Sequence, residues 1–515
     1  MKKYWLIFLC CLAVVLGACA KIDNPGSGDE NPEQEVDPAS ETQNVYKYVN
    51  IFALNQMNNY YLWQKEIAAD LKAWKDTEEP KAKVKDIRYH TGSGANRVDI
   101  DKWTTVTDDY AGMMASSDGS GKTSGFDFTF LFLDASHTLL VAVVTYVYKD
   151  SPAAAAGLKR GDAITKVNGK YLPYPTGYED AYYTLVGDDK YTVETYDGRS
   201  LSLEPKDMYE DPIHTVKVFD CGDKKVGYLH FTSFTLRACE DLIPVFKEFK
   251  AQGVSELILD LRYNLGGFVR TEETLASLMA PEANVLAGDV VSTEVYNDKL
   301  TQYYQSHPNE RNDTTYFKTE FDFDGNDKHY HFSTLGANPD LKKIYVIIGT
   351  NSASASESII CDLHPYFGKN MTMIGQQSRG KYCTGVVLKA DDFYKDNEDQ
   401  LGVTTAMNGQ KYAKNWGIYV MYSRYADKNG ETLCMPDGLI PDVAAEDRPD
   451  QTYALGDPKE SMLSVALNLC GYKQAGQASR HQPGMNLDPA PNFMESLTPV
   501  QDGVRIALPE QAKLR

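Results

Sequence analysis

The sequence predicts an α/β layered core, and three observations carry that prediction. Beyond residue 225, short apolar runs alternate with segments of helical period. The runs Leu257-Ile258-Leu259, which ends in charge at Asp260 and Arg262, and Ile344–Ile348 lack polar alternation, as strands covered on both faces do. Between such runs, Leu242, Val245, Phe246 and Phe249 recur on one helical stripe.

The elements ahead of this core differ in kind. Lys2 and Lys3 precede an apolar run, Tyr4 to Leu16, too short to span a bilayer, so residues 1–18 read as a secretory signal. The signal ends in Leu16-Gly17-Ala18-Cys19, which resembles a bacterial lipobox. That resemblance implies lipidation at Cys19 and a protein anchored to the cell envelope, with the outer membrane as the expected site. Residues 19–43, rich in Gly, Pro, Asp, Glu, Asn and Ser, read as a solvated tether. Val45, Val49 and Phe52 open a helical period, and 44–115 is predicted to be a small helical N-terminal domain. Residues 208–472 form the predicted core, and 473–515 a loosely ordered tail.

Residues 116–207 form a second unit. Phe126–Leu133 and Thr138–Tyr148 are strand-like in their β-branched and aromatic content. The run from Asp150 to Gly169 holds an Ala-rich helix ended by Gly157, a turn at Gly161-Asp162, a strand, and a hairpin turn at Asn168-Gly169. This run resembles a PDZ domain. The resemblance implies a carboxylate-binding loop at Ser124–Phe128, with Gly125, Phe126 and Phe128 receiving a peptide C-terminus at a sheet edge. Asp127 stands where bacterial relatives usually carry a second glycine. Just upstream, Gly119-Ser120-Gly121-Lys122-Thr123 has phosphate-loop composition, but Ser116 replaces the first glycine and no apolar strand leads in.

Charge and cysteine content exclude several function classes. The 515 residues hold 52 Lys and Arg against 72 Asp and Glu, a formal net charge of −20. A nucleic-acid partner needs a basic face, and anionic lipid would repel this surface. The 9 cysteines show no CxxC pair and read as buried free thiols once Cys10, Cys11 and Cys19 are set aside. His329 and His331, the one close histidine pair, read as a polar hairpin face. No metal or cofactor is called for, and oligomeric state is left open.

Three segments carry chemistry: Asp260–Gly267, Gly349–Ile359 and Gly375–Lys381. The second places Ser352, Ser354, Ser356 and Ser358 where an apolar strand meets a small-residue helix start, whose N–H groups can hold a developing oxyanion. Gly266-Gly267 ends a strand of the same sheet, where backbone can approach a carbonyl closely. A serine hydroxyl needs a base to attack. No histidine lies in the three segments, which favours Lys381 as partner over a histidine triad. On the residues alone the four serines remain competitors.

These segments, with the PDZ-like run and Pro436–Asp442 downstream, resemble the C-terminal processing (tail-specific) serine peptidases, over roughly 44–472. That family implies a crotonase- and Clp-protease-like core. It also implies Ser354 as nucleophile, Lys381 as general base, Glu357 as support, and an oxyanion hole from Ala355 with Gly266 or Gly267. Peptides or proteins are the implied substrates. Two departures stand out: a longer loop in His364–Asn370, and Gly385 where the family often has Gln four residues after the lysine. To act as base, Lys381 must titrate near ~7–8 rather than ~10.4. Burial and Arg379 would lower its pKa and a contacting Glu357 would raise it, so Glu357 is expected to orient a donor or the helix. Two rival readings are an inactive PDZ-containing peptide-binding lipoprotein and a glycan-capture lipoprotein with exposed aromatic platforms.

Overall fold

The computed structural model describes residues 38–311, 313–326, 328–450, 453–473, 487–490 and 504–507. The predicted signal, Cys19 and most of the predicted tether lie outside the described residues.

The core is built on two sheets. In the first, Ile213–Cys221, Lys224–Phe231, Val254–Asp260, Lys343–Ile348, Met371–Gly375 and Val443–Ala444 follow one another, parallel after the first pair. Its central strands are buried on both faces, which is why Leu257–Leu259 and Ile344–Ile348 carry no alternation. In the second, the order is Gly266–Phe268, Val504–Ala507, Cys383–Lys389, Gly417–Asp427, Val290–Tyr296 and Thr314–Tyr316. Helix Ala355–Phe367 touches both sheets, through Lys343–Ile348 and Gly417–Asp427. It forms a layer between them.

Residues 44–115 do not form a domain of their own. The first helix spans Pro38–Tyr60, beginning inside the predicted tether. Its apolar stripe, Val49, Phe52 and Met57, is buried in the same core as Phe231, Ile344 and Tyr419. Tyr394 Oη donates to Tyr48 O at 2.6 Å, and strand Thr105–Thr107 pairs with Gly417–Asp427. The stripe is too narrow to close on itself and is completed by the larger core.

The PDZ unit has its own core, around Phe130, Val144, Ile164 and Tyr182. Its sheet runs Ser200–Leu203, Tyr191–Thr195, Ala163–Val167, Lys170–Pro173, Leu139–Val147, Phe126–Phe132. Asn168 and Gly169 both take positive φ (50° and 75°), as a two-residue hairpin turn requires.

The C-terminal tail was expected to be loosely ordered, yet its described residues include strands. Asp488–Pro489 pairs antiparallel with Phe126–Phe132, and Val504–Ala507 pairs parallel with Gly266–Phe268 and Cys383–Lys389. Short polar-flanked segments of this kind carry no periodic signal, and open sheet edges recruit them.

The six described cysteines are free and buried. His329 and His331 lie on an exposed hairpin facing Asp324 and Asp322. Ser120–Thr123 is a strand paired with Lys206–Tyr209, not a phosphate loop.

Candidate active site

Strand Lys343–Ile348 delivers the chain to Gly349, and a short turn leads into helix Ala355–Phe367. The turn is pinned on both sides. Ser352 Oγ donates to Leu261 O at 2.8 Å and accepts from Gly349 N–H at 2.9 Å. Ser356 Oγ donates to Asn264 O at 2.9 Å. Both hydroxyls are therefore committed to backbone.

Ser354 is placed differently. It caps the helix at φ 63°, ψ −113°, a conformation that residues with side chains rarely hold without support. It is wholly buried, and its Oγ has no hydrogen-bond partner among the described residues. Ser358 Oγ is also unpartnered, but Ser358 lies within the helix, its N–H on Ser354 O. Ala355 opens the helix, so its N–H is among the first-turn donors lacking an intrahelical acceptor.

Glu357 joins the two distant motif segments. Its Oε2 accepts from Ser354 N–H at 2.8 Å and from Lys381 N–H at 2.9 Å. Its Oε1 accepts from Gly380 N–H at 2.6 Å and Ser378 Oγ at 2.5 Å. Burial pushes the Glu357 carboxyl pKa up, and these donors oppose that by favouring the carboxylate. These contacts are with three backbone N–H groups and the Ser378 hydroxyl.

Lys381 is 0% exposed, and its Nζ lies 2.8 Å from Tyr419 Oη, over the rings of Trp103 (5.3 Å) and Tyr419 (4.9 Å). Burial pushes its pKa down to about 7; Cys383, Asp101 and Glu357 pull the other way, and Arg379 adds to the lowering. Trp103 and Tyr419 are site residues that no motif announced. Gly385 was the available signal. A Cβ there would fall 2.2 Å from the Tyr419 ring, so the missing side chain at 385 is the space Tyr419 occupies.

The glycine pair divides its duties. Gly266 N–H donates to Asn264 Oδ1 at 2.8 Å, which withdraws it from oxyanion binding. Gly266 O and Phe268 N–H both bond to Phe234, so strand alternation turns the Gly267 N–H to the other side. A Cβ on Gly267 would meet Phe234 O at 2.4 Å, and φ there is 145°. The Gly267 N–H is held neither by Asn264 nor by Phe234 and lies on the side of the paired strand Val504–Ala507.

Comparison with known proteins finds a match within each of the two units. Residues 225–445 match the model of Peptidase family S41, and 143–186 match that of a PDZ domain. The chain holds an S41 peptidase domain. It is a homologue of carboxyl-terminal processing proteases. One relative, the chloroplastic carboxyl-terminal-processing peptidase 1 of Arabidopsis thaliana, is 30% identical over 27% of this chain and 29% of its own length. Another, the carboxy-terminal-processing protease of Bartonella bacilliformis, is 27% identical over 48% of this chain and 50% of its own. The chain thus spans half or less of these relatives' lengths. A crystal structure assigned to the S41 proteases, from Bacteroides fragilis, superposes with a TM-score of 0.58 at 19% identity, covering 81% of this chain and 96% of that one. That likeness shows the fold.

The PDZ unit is tied to the S41 domain by buried charge. Arg160 of the PDZ unit reaches Asp447 at 2.9 Å, Tyr263 Oη at 2.6 Å and Glu460 at 3.3 Å. Arg262, fully buried, bonds Asp260 at 2.7 Å and Glu460 at 2.7 and 2.9 Å. Asp260 and Arg262 form a buried ion pair at the strand end. Burial alone would raise the Glu460 pKa, but Arg262 and Arg160 outweigh it and hold it at about 2.

The predicted carboxylate loop needs one revision. Gly125 N–H donates to Thr123 Oγ1 at 3.0 Å, so it is not free for a peptide carboxylate. Gly125 instead allows close approach: φ is 72° and a Cβ would sit 2.4 Å from that of Ser151. Phe128 is buried against Tyr182, and Phe126 packs partly buried beside it. Asp127 turns to Thr145 on the sheet's other face, where burial raises its pKa to about 6.

Proposed function

We propose that this chain is a serine endopeptidase of the cell envelope, lipid-anchored through Cys19, that uses Ser354 and Lys381 on peptides or proteins presented through the PDZ unit. One observation carries the reading: a single oxygen, Glu357 Oε2, holds the backbone N–H groups of both Ser354 and Lys381. A carboxylate in that position fixes the candidate nucleophile and base together without needing to face the amine.

In the proposed cycle, neutral Lys381 Nζ takes the Ser354 Oγ proton as Oγ attacks the scissile carbonyl. The N–H group of Ala355 faces the oxyanion. The C–N bond then breaks, and the Lys381 ammonium returns its proton to the leaving amine. Water, deprotonated by the same amine, adds to the acyl carbon; the ester C–O bond breaks and Ser354 Oγ takes the proton back from the Lys381 ammonium. An amine near 7 suits both proton transfers at neutral pH. The inactive peptide-binding alternative rests on the absent Gln after Lys381 and the longer loop in His364–Asn370; at the first of these, Tyr419 supplies a polar neighbour instead.

Cleavage of a fluorogenic peptide by wild type, Ser354→Ala and Lys381→Ala tests the reading. Both variants are expected to lose turnover while keeping fold; activity retained in Ser354→Ala would overturn it. Cys19→Ser is expected to abolish lipidation, and an unlipidated wild-type N-terminus by mass spectrometry would overturn the anchor.

A further inference from the structure

The turn that carries Trp103 to the amine of Lys381 is organised by one buried carboxylate. Asp101 is wholly buried. Its Oδ1 accepts from the N–H groups of Trp103 at 2.8 Å and Thr104 at 3.0 Å, and its Oδ2 accepts from Tyr61 Oη at 2.8 Å. Tyr61 Oη accepts in turn from Tyr89 N–H at 2.8 Å, and Asp101 N–H donates to Tyr89 O at 2.9 Å. The turn is also fastened to the strand of Tyr419. Met421 N–H donates to Thr104 Oγ1 at 3.1 Å, Met421 O accepts from Leu62 N–H at 2.8 Å, and Thr105 stands opposite Tyr419 in register. One network therefore sets both rings that lie against Lys381 Nζ.

The geometry of the turn does not by itself call for a charge. An Asn side chain offers the same oxygen to the two backbone N–H groups. A buried carboxylate is costly unless a cation answers it. Among the described residues, the hydrogen-bond partners of the Asp101 carboxylate are the three neutral donors above. Arg88, beside Tyr89, is directed elsewhere: its Nη1 donates to Lys102 O at 2.8 Å and its Nη2 lies 4.0 Å from Asp99. The cation that answers Asp101 is the Lys381 ammonium, whose pKa Asp101 draws upward against burial. Of the other groups facing the amine, Cys383 and Glu357 also raise its pKa, Arg379 lowers it, and Tyr419 bonds to it. Tyr61, Tyr382 and Cys383 face Asp101.

We infer that Asp101 is a positioning residue for the general base: it holds Trp103 over Lys381 Nζ and stabilises the ammonium that forms when the amine takes the Ser354 proton. This rests on the peptidase reading above. The proton transfer creates a positive charge in a wholly buried site, where a fixed anion acts more strongly than in water. Burial lowers the pKa of the amine so that it starts neutral, and Asp101 limits that lowering so that the amine can hold the proton it takes. Residues 61–105 thereby serve the chemistry as well as completing the core.

The test titrates the Lys381 Cε resonance by NMR in the full chain with isotope-labelled lysine, the resonance being identified by its loss in Lys381→Met. Ser354→Ala versions are used, so that this reading does not depend on turnover. Asp101→Asn keeps an acceptor for the turn and removes the charge. Its midpoint is expected to fall below that of the parent chain by about half a pH unit or more. With Ser354 present, the kcat/KM limb should move with it and the plateau kcat should fall about tenfold. Tyr61→Phe keeps the charge and removes a hydroxyl dipole that offsets it, so its midpoint should rise. A residue that only shaped the turn would alter stability and leave both midpoints where they were. Should Asp101→Asn fail to fold, Tyr61→Phe decides. A midpoint that is unmoved or raised in Asp101→Asn, or unmoved or lowered in Tyr61→Phe when that variant decides, overturns the inference and leaves the peptidase reading standing. Midpoints that move in opposite directions, with no turnover by any form, support Asp101 as partner of the amine and overturn the peptidase reading.

Discussion

Tyr419 Oη stands 2.8 Å from Lys381 Nζ because position 385 has no side chain to exclude the Tyr419 ring. The lysine's neutral amine keeps a lone pair for proton transfer, and a hydrogen bond to Tyr419 settles where that lone pair points. Tyr419→Phe is expected to lower kcat about tenfold with KM little changed. The pH midpoint should stay near the wild-type value, since burial dominates it. Gly385→Ala should be destabilised through a clash with the Tyr419 ring, and Tyr419→Ala should relieve it. A double-mutant cycle in thermal unfolding reads that coupling, and strict additivity would contradict the contact.

Lys381 sets the expected pH dependence of activity. Its folded pKa is lowered from 10.5 to about 7, so the neutral base accumulates as pH rises through 7. kcat/KM should climb through one ionisation near pH 7. Arg379→Ala removes a cation that adds to the lowering, and its limb should move to higher pH. A pH profile unchanged in Arg379→Ala would show that the guanidinium does not act on the amine.

The same lysine costs stability. Below its folded pKa the charged amine is buried, and the unfolded chain binds the proton more tightly than the folded one. Lys381→Met is expected to raise the thermal midpoint at pH 6 while abolishing turnover, by a margin on the order of a few kcal/mol. The gain should shrink as pH rises through 7 and past 10.5, where both states become neutral. Calorimetry at the two pH values checks it.

Glu460 works in the opposite sense. Its folded pKa is held at about 2, below the ordinary 4.5, so it stabilises the fold above 4.5 and that contribution fades as pH falls toward 2. Glu460→Gln leaves Arg262 buried with fewer partners and should cost about 3–5 kcal/mol at neutral pH. The difference from wild type should narrow in acid. Denaturant titrations at pH 7 and pH 3 measure it.

Much of this site was legible in sequence because its parts are local. A serine-rich helix start, a glycine pair closing an apolar strand and a lysine after a glycine each show as short patterns. Alternating apolar runs and helical stripes likewise announced the layered core, and the Asp150–Gly169 run announced the PDZ unit. What the tertiary structure alone decided depends on groups far apart in the chain. Ser352 and Ser356 drop out as candidates because Leu261 and Asn264 take their hydroxyl protons. The Gly266 amide is taken up by Asn264. Tyr419 and Trp103 surround the lysine from strands and loops with no motif of their own. The N-terminal helices join the main core, and the tail pairs with two separate edges. Hydrogen-bond partners, burial and edge pairing are properties of where backbones meet in space. Local periodicity records only which face of an element will be covered, not what covers it.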